Sequence, residues 1–222
     1  DVKVAASSDA NNTGAECNAG GIAGTNAGTI LACEASGSEV SAKASSAKTQ
    51  AGGIAGKTSG GNYIASCASE VGKIIANTSG SEAYAGGVVG LQSGVLYSSY
   101  ARGDATAVGA STINMSGAIV GENNFGDTDL CIGTGAGGQG TSNLSPSSGI
   151  LYDAYATDEK IYNLMKTKDF TKEISTTTYD ATRFPAYGIE VTKVPFSSKG
   201  AWSYDPASGK IRIRGLPSVP LP

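Results

Sequence analysis

The chain has 222 residues, of which 32 are glycine and none is histidine, and its formal net charge is −3. The near-neutral charge and the lack of Lys or Arg runs argue against a nucleic-acid partner, since binding to phosphates needs clustered positive charge. The missing histidine removes the commonest general base and the usual zinc ligand. We therefore expect no enzyme activity, no cofactor and no catalytic metal. No run approaches the ~20 apolar residues of a membrane span, so we expect no membrane insertion by this segment.

A six-residue phrase recurs four times, at intervals of 32, 34 and 31 residues. A fixed period of this size is typical of repeat proteins in which each unit is one layer stacked on the next. The first copy reads Ala19-Gly20-Gly21-Ile22-Ala23-Gly24. The later copies occupy residues 51–56, 85–90 and 116–121.

Each copy continues in the same way. A polar turn with a second glycine follows the phrase, then a short apolar run ending in Cys or Tyr, another glycine and a strand of small residues such as 40–44. Three short strands with three glycine corners predict one turn of a coil. Residues 1–145 are therefore predicted to form an all-β, three-sided parallel β-helix (β-solenoid). Stacking should bury one ladder, formed by Ile22, Ile54, Val88 and Ile119.

The amino end of the sequence begins partway through a coil. Val2-Lys3-Val4-Ala5 stands where a third strand is expected, without the first two. The first residue is Asp1, which indicates a processed chain or a fragment of something longer. This pattern predicts an exposed strand edge, available either to a longer parent chain or to end-to-end self-association.

Residues 146–222 follow different rules, because the Gly-Ala periodicity stops and Pro, aromatic residues and the single Trp appear. Residues 157–166 predict a short helix with Thr157 as its N-cap and Ile161, Leu164 and Met165 on its apolar face. Residues 201–214 predict a β-hairpin. We expect this segment to be a small α+β cap that packs over the end of the solenoid or along its last coils.

The repeated Gly-Gly-Ile-Ala-Gly, followed by a polar turn, Gly-x-Ile-x-x-Cys, Gly and a short strand, resembles the GLUG motif over residues 13–135. Residues 151–217 are also similar to the segment that often closes GLUG arrays. The motif occurs in bacterial cell-surface and secreted proteins, including adhesin-like proteins and the non-catalytic region of IgA-specific metallopeptidases. The resemblance implies surface display and an adhesive or scaffolding role, and it carries no catalytic residues.

Tyrosines of the predicted solenoid are candidate ligand-binding side chains. Tyrosine rings can stack on the apolar faces of sugars, or they can pack in wide corners of the coil. The candidate ligand-facing aromatics are Tyr63, Tyr84, Tyr97 and Tyr100.

Other residues carry weaker signals for chemistry. Cys33 and Cys67 are predicted to stack in one column, either as a disulfide or as two small buried thiols, with Tyr100 next in the column and with Cys17 and Cys131 elsewhere.

The oxygen-rich segment 122–129 could hold Ca²⁺ through Asp127 and Asp129, or be a solvated corner. The carboxylates of the solenoid are scattered and predict no catalytic pair.

Three functions remain open on the sequence alone. The first is a non-catalytic extracellular or cell-surface adhesin or stalk segment that binds or presents a surface, with a host, matrix or glycan ligand as partner. The second is a self-assembling filament or surface-layer subunit. The third is a carbohydrate-binding or carbohydrate-cleaving β-helix.

Overall fold

The computed structural model describes residues 3–8, 15–80, 82–110, 113–137, 150–152, 155–166 and 200–214. Within these ranges the chain is a parallel β-solenoid of about four coils with one short helix. The predicted all-β parallel architecture is confirmed. None of the described helical structure is long and apolar enough to cross a lipid bilayer.

Four parallel sheets run along the solenoid, and each coil contributes to all of them. Strands are numbered in chain order. The first sheet contains β2 (Glu16–Gly20), β6 (Lys48–Gly52), β10 (Ala83–Gly86) and β15 (Asn114–Gly117). The second contains β3 (Ala23–Asn26), β7 (Ala55–Thr58), β11 (Val89–Gln92) and β16 (Val120–Asn123). The third contains β4 (Thr29–Leu31), β8 (Tyr63–Ala65), β12 (Val95–Tyr97) and β17 (Asp127–Asp129).

The fourth sheet is the widest and is called the long sheet below. Its strands β5 and β9 each span 11 residues, so the sheet extends well beyond the other three. It consists of β1 (Lys3–Ser8), β5 (Glu34–Ala44), β9 (Ala68–Thr78), β13 (Tyr100–Ala101), β14 (Asp104–Gly109), β18 (Cys131–Gly133) and β19 (Ile150–Tyr152).

Each coil therefore contributes strands to four sheets, and the predicted count of three strands per coil is wrong. The repeated phrase predicts one strand, but it is divided between the first and second sheets by a bend at its central residues, such as Gly53 and Ile54. The bend brings backbones into close approach. A Cβ on Gly52 would lie 1.9 Å from the Ala55 carbonyl oxygen, and one on Gly53 would lie 2.2 Å from the Gly87 carbonyl oxygen. Only glycine fits at these two positions, which explains the Gly-Gly pair of the first three copies, whereas the fourth copy has Gly117-Ala118.

The predicted apolar ladder forms, but its first member is not buried. Ile54 and Val88 are fully buried and Ile119 is 2% exposed, whereas Ile22 is 45% exposed. The backbone still aligns all four, since the Ile22 amide donates to the Ile54 carbonyl at 3.0 Å. Ile22 belongs to the first complete coil and borders an open cavity. The prediction of burial was therefore wrong for Ile22, because Ile54 lies on one side of it and no described residue of the repeat lies on the other.

One corner of the coil repeats an unusual backbone conformation. Four residues at its tip have positive φ angles between 46° and 52°: Ala32, Ser66, Ser98 and Leu130. Non-glycine residues are uncommon in this left-handed region. In three coils the next side chain donates to the carbonyl two residues before it: Cys33 to Leu31, Cys67 to Ala65 and Ser99 to Tyr97. This hydrogen bond spans the left-handed residue and supports the corner.

Outside the coils lies a small unit, called the flank module below. It comprises α1 (Asp158–Met165) and an antiparallel hairpin of β20 (Trp202–Asp205) and β21 (Lys210–Ile213). Thr157 caps α1, because its Oγ1 accepts from the Lys160 amide at 3.3 Å. The predicted helix, N-cap and hairpin are confirmed.

The flank module packs along the side of the coils. Its buried Ile161, Met165 and Trp202 form one cluster with outward residues of the long sheet, from Ala68 in the second coil to Ile132 in the fourth. Of the two predicted placements, packing along the coils is the one that the described residues adopt. The predicted boundary between residues 145 and 146 lies outside the described ranges.

Candidate functional site

The outward face of the long sheet has two halves. The amino half of each strand lies under the flank module, while the carboxyl half, together with β1, has no described element over it. We call this second half the open face. Side chains alternate along a strand, so those of Val40, Ala42 and Ile74 point into the core and their neighbours point outward. The outward residues form three rows: Lys3-Glu39-Lys73-Asp104, Ala5-Ser41-Ile75-Thr106 and Ser7-Lys43-Asn77-Val108.

The first row of the open face alternates in charge. Lys3, Glu39, Lys73 and Asp104 are in direct register on four successive strands. Neighbouring strands lie ~4.8 Å apart, so each charge has an opposite charge beside it. Asp104 also accepts a hydrogen bond from the Ala136 amide at 2.7 Å. The remaining rows are small, polar or aliphatic apart from Lys43, and Val108 is 50% exposed.

The covered half carries larger side chains and a network of polar contacts. The Tyr100 hydroxyl donates to Glu70 Oε1 at 2.6 Å, and Arg102 Nε donates to the same oxygen at 3.0 Å. Arg102 reaches the flank module through Asp158 Oδ1 at 2.8 Å. The other Asp158 oxygen accepts from the Ile211 amide at 2.9 Å, which ties α1 to the hairpin.

Aromatic packing closes this network. The Tyr100 and Trp202 rings lie 5.6 Å apart at a tilt of 44°, and Arg102 stands 5.4 Å from the Tyr100 centroid. Burial raises the pKa of Tyr100, and the Glu70 carboxylate raises it further. Burial also raises the pKa of Glu34, again with Glu70 contributing. Contacts from Tyr100 and Arg102 hold the flank module on the solenoid. Because its pKa is raised, Tyr100 remains a neutral hydrogen-bond donor.

The four candidate tyrosines are not brought together on one surface. Tyr63, Tyr84 and Tyr100 are buried, and Tyr97 is half-buried. Tyr63 and Tyr97 belong to the third sheet, Tyr84 to the first and Tyr100 to the long sheet. The Tyr84 hydroxyl donates to Glu82 Oε2 at 2.8 Å. These positions match the packing interpretation of Tyr63, Tyr84 and Tyr100, and a ligand-facing role for Tyr97 stays a prediction.

Two described glutamates, Glu16 and Glu82, form ion pairs with lysines of the neighbouring coil. Lys57 Nζ lies 2.6 Å from Glu16 Oε1, and Lys48 pairs with Glu82. The hydrogen bond from Lys48 lowers the pKa of Glu82.

The candidate calcium segment forms a corner between β16 and β17. Asn123 Oδ1 accepts from the Gly126 amide at 2.9 Å, and its Nδ2 donates to the Gly126 carbonyl at 2.9 Å. This pair of bonds closes the loop on itself. Among the described residues no group of three or more Cys, Asp or Glu side chains is placed to hold a metal ion.

The cysteine column differs from its prediction. Register places Ser99 next to Cys67, because Tyr100 aligns with Ala68, and it places Cys131 next to Ser99, because Tyr100 also aligns with Ile132. The column is therefore Cys33, Cys67, Ser99 and Cys131. Assigning Tyr100 to it was wrong by one residue, which in a strand moves a side chain to the opposite face. No disulfide joins any of the four cysteines in the structure.

Sequence reasoning missed the open face. Its signal was present in the alternation of Val40-Ser41-Ala42-Lys43-Ala44, which predicts one buried and one outward side chain in turn. The register that aligns these residues with those of other coils was not worked out from the sequence.

No family model, curated protein or solved structure matches this chain. The resemblance to GLUG repeats therefore stays a prediction.

Proposed function

We propose that this chain is a non-catalytic β-solenoid of the bacterial cell surface or extracellular space, which binds a host, matrix or glycan ligand through its open face. The observation that supports the proposal is the regular array of outward side chains in three rows across four strands. Such an array offers a flat, rigid contact surface with hydroxyl, amide and charged groups at fixed spacing. A rigid surface binds without a large ordering cost.

The covered half supports the same proposal, because its polar side chains are already engaged in contacts within the molecule. There, Tyr100 and Arg102 are occupied by contacts with the flank module. The described carboxylates Glu16, Glu70 and Glu82 are each paired with a cation. Paired carboxylates of this kind favour a structural role over general acid or base catalysis, and we propose that the chain is not an enzyme.

Binding assays on paired variants test this proposal. The purified chain is applied to a glycan array and to immobilised extracellular-matrix proteins, and released sugar is measured in parallel. The open-face variant carries Ser41→Glu and Thr106→Glu. The control carries Thr25→Glu and Leu91→Glu, which stand in one outward column of the second sheet.

We expect the open-face variant to bind any captured ligand at least about tenfold more weakly, a loss of ~1.4 kcal/mol or more. The control should bind as the unmodified chain does. Equal binding by the two variants would move the site elsewhere, and release of sugar would favour the carbohydrate-cleaving alternative.

Head-to-tail assembly is a second candidate, supported by the first coil. Ile22 is exposed at that end. The charge row also begins with Lys3 and finishes with Asp104, so a second copy stacked in the same direction would continue its alternation. Sedimentation at rising protein concentration tests this candidate. Larger species that disappear in Ile22→Lys would support it, and a monomer at every concentration would exclude it.

A further inference from the structure

Two thiols meet at the left-handed corner between the first and second coils. The Ala68 amide donates to the Cys33 carbonyl at 2.9 Å, so Cys33 and Cys67 are adjacent at the corners that immediately precede the paired parallel strands β5 and β9. Such neighbours have Cα atoms ~4.8 Å apart, which lies within the range that a disulfide spans. Cys67 Sγ lies 3.2 Å from the Ala65 carbonyl oxygen and 3.7 Å from that of Ile30 in the first coil. Both sulfurs therefore sit at the same corner.

The two thiols differ in their access to solvent. Cys67 is fully buried, whereas Cys33 is half-buried and borders an open cavity of about 460 Å³ beside Ile22. The other residues that line the cavity are Thr29, Ile30 and Leu31. A small reagent can therefore approach Cys33 through this cavity, whereas Cys67 has no exposed surface.

We propose that Cys33 and Cys67 are a redox pair in which Cys33 is the attacking thiol and Cys67 the resolving thiol, and that a low-molecular-weight disulfide links them across the first two coils. The proposal does not depend on the proposed ligand-binding function. An extracellular home would favour the linked form.

The step is thiol–disulfide exchange. Cys33 loses its proton to solvent, and its thiolate attacks one sulfur of the reagent. The reagent's S–S bond breaks, and its first half leaves and takes up a proton. Cys67 then attacks the Cys33 sulfur, and the second half leaves with the proton from Cys67. The two protein thiols have lost two electrons in total, and the reagent has been reduced to two thiols.

Electrostatics agree with this order of attack. The hydrogen bond with Cys67 holds the pKa of Cys33 below its usual value, despite burial. Burial holds the pKa of Cys67 well above its usual value. A lowered pKa increases the fraction of reactive thiolate at Cys33.

The other two cysteines are excluded as partners by position. Cys131 shares the column, but Ser99 stands between it and Cys67, which places it ~10 Å away along the stack and beyond disulfide reach. Cys17 lies in the first sheet, where its Sγ donates to the Lys43 carbonyl at 3.5 Å.

Mass spectrometry of the chain treated with glutathione disulfide tests the proposal. We expect the unmodified chain to lose two hydrogens, without a retained adduct, and to yield a peptide that links residues 33 and 67. The link closes a loop of about 34 residues, so we expect the Tm to rise by roughly 5–10 °C. Cys67→Ser should instead accumulate glutathione on Cys33, and Cys33→Ser should gain neither adduct nor link.

Serine is a suitable replacement, because Ser99 occupies the same column and makes the equivalent hydrogen bond to Tyr97. Cys131→Ser is the matched control, and it should form the 33–67 link as the unmodified chain does. Circular dichroism checks the fold of each variant. A link between any other pair of cysteines would overturn the proposal. So would a chain in which both Cys33 and Cys67 still react with an alkylating reagent after the treatment with glutathione disulfide. Failure of Cys67→Ser to hold glutathione would overturn the assignment of Cys33 as the attacking thiol.

Discussion

The two halves of the outward face of the long sheet lie on the same strands but differ in content. The covered half presents Tyr100, Arg102 and Ile132 to the flank module, and Trp202 is buried against them. The open half carries small, aliphatic or charged side chains, and no described element covers them. The inward residues of both halves are mostly small or aliphatic, with Ser69 and Thr78 as buried polar exceptions. The repeat thus constrains what points inward, whereas the outward side chains differ between the half that contacts the flank module and the half that no described element covers.

Trp202→Ala should give the largest difference in unfolding free energy between a variant of the covered half and one of the open face. Trp202 is 1% exposed and packs on Tyr100, so its loss should cost about 3–5 kcal/mol of unfolding free energy. Ile75→Ala on the open face is the control and should cost less than about 1.5 kcal/mol, because Ile75 is only half-buried. Chemical denaturation of both variants measures the difference. Equal losses would mean that the flank module contributes little to stability.

Ala55→Leu contrasts the interior with the open face. Ala55 is fully buried in a core with no room for added carbons, so overpacking should cost about 1–3 kcal/mol. Lys43→Ala, on the open face, should stay within about ±0.5 kcal/mol. Identical thermal melting curves for the two variants would contradict the inward assignment of Ala55.

Arg102→Gln compares a charge under the flank module with one on the open face. Arg102 bonds to Glu70 and Asp158, so we expect a loss of about 1–2 kcal/mol, in line with hydrogen bonds to charged groups. Lys73→Gln should change the unfolding free energy by no more than about 0.5 kcal/mol, as exposed charges do. Urea denaturation at low and high salt checks both values. A larger effect at Lys73 would show that the charge row, rather than the junction, stabilises the sheet.

The smallest expected effects concern the pH dependence of stability. Substitutions at two glutamates should shift the Tm at neutral pH in opposite directions. The folded state raises the pKa of Glu34, so that group binds its proton more tightly when folded, and stability falls as pH rises through that pKa. Glu34→Gln should therefore raise the Tm at neutral pH and leave it nearly unchanged in acid.

Glu82 provides the opposite case. Lys48 lowers its pKa, so its contribution is present at neutral pH and is lost as pH falls through the folded-state value. Glu82→Gln should lower the Tm at neutral pH. If both variants shifted the Tm in the same direction, burial at Glu34 would not be the controlling factor.

The fold was largely predictable because the sequence pattern that indicates it occurs four times. Four copies of one phrase determine the parallel register, the apolar column and the need for glycine at the bends. The predictions that were wrong concerned local features of single coils. The division of the phrase into two strands depends on a bend that small residues permit without requiring, and the exposure of Ile22 depends on what precedes it along the stack.

The candidate site was predicted less well, because it depends on alignment between coils. An error of one residue put Tyr100 in the cysteine column, although it faces outward and contacts Trp202. The alternating charges of Lys3, Glu39, Lys73 and Asp104 are 31 to 36 residues apart in the chain and become neighbours only once the coils are stacked. Sequence periodicity approximates that alignment but does not determine it, since the coils differ in length.

The pitch of the coil bears on how far such a protein can extend. Each turn uses 31 to 34 residues and adds only ~4.8 Å along the axis, or about 0.15 Å per residue. An α-helix advances ~1.5 Å per residue, about ten times as much. A solenoid of this kind is therefore an inefficient spacer, and lengthening it mainly widens the plane that it offers to its surroundings. A variant with one more coil should therefore gain a further row of outward side chains on each sheet while its length along the axis grows by only ~4.8 Å.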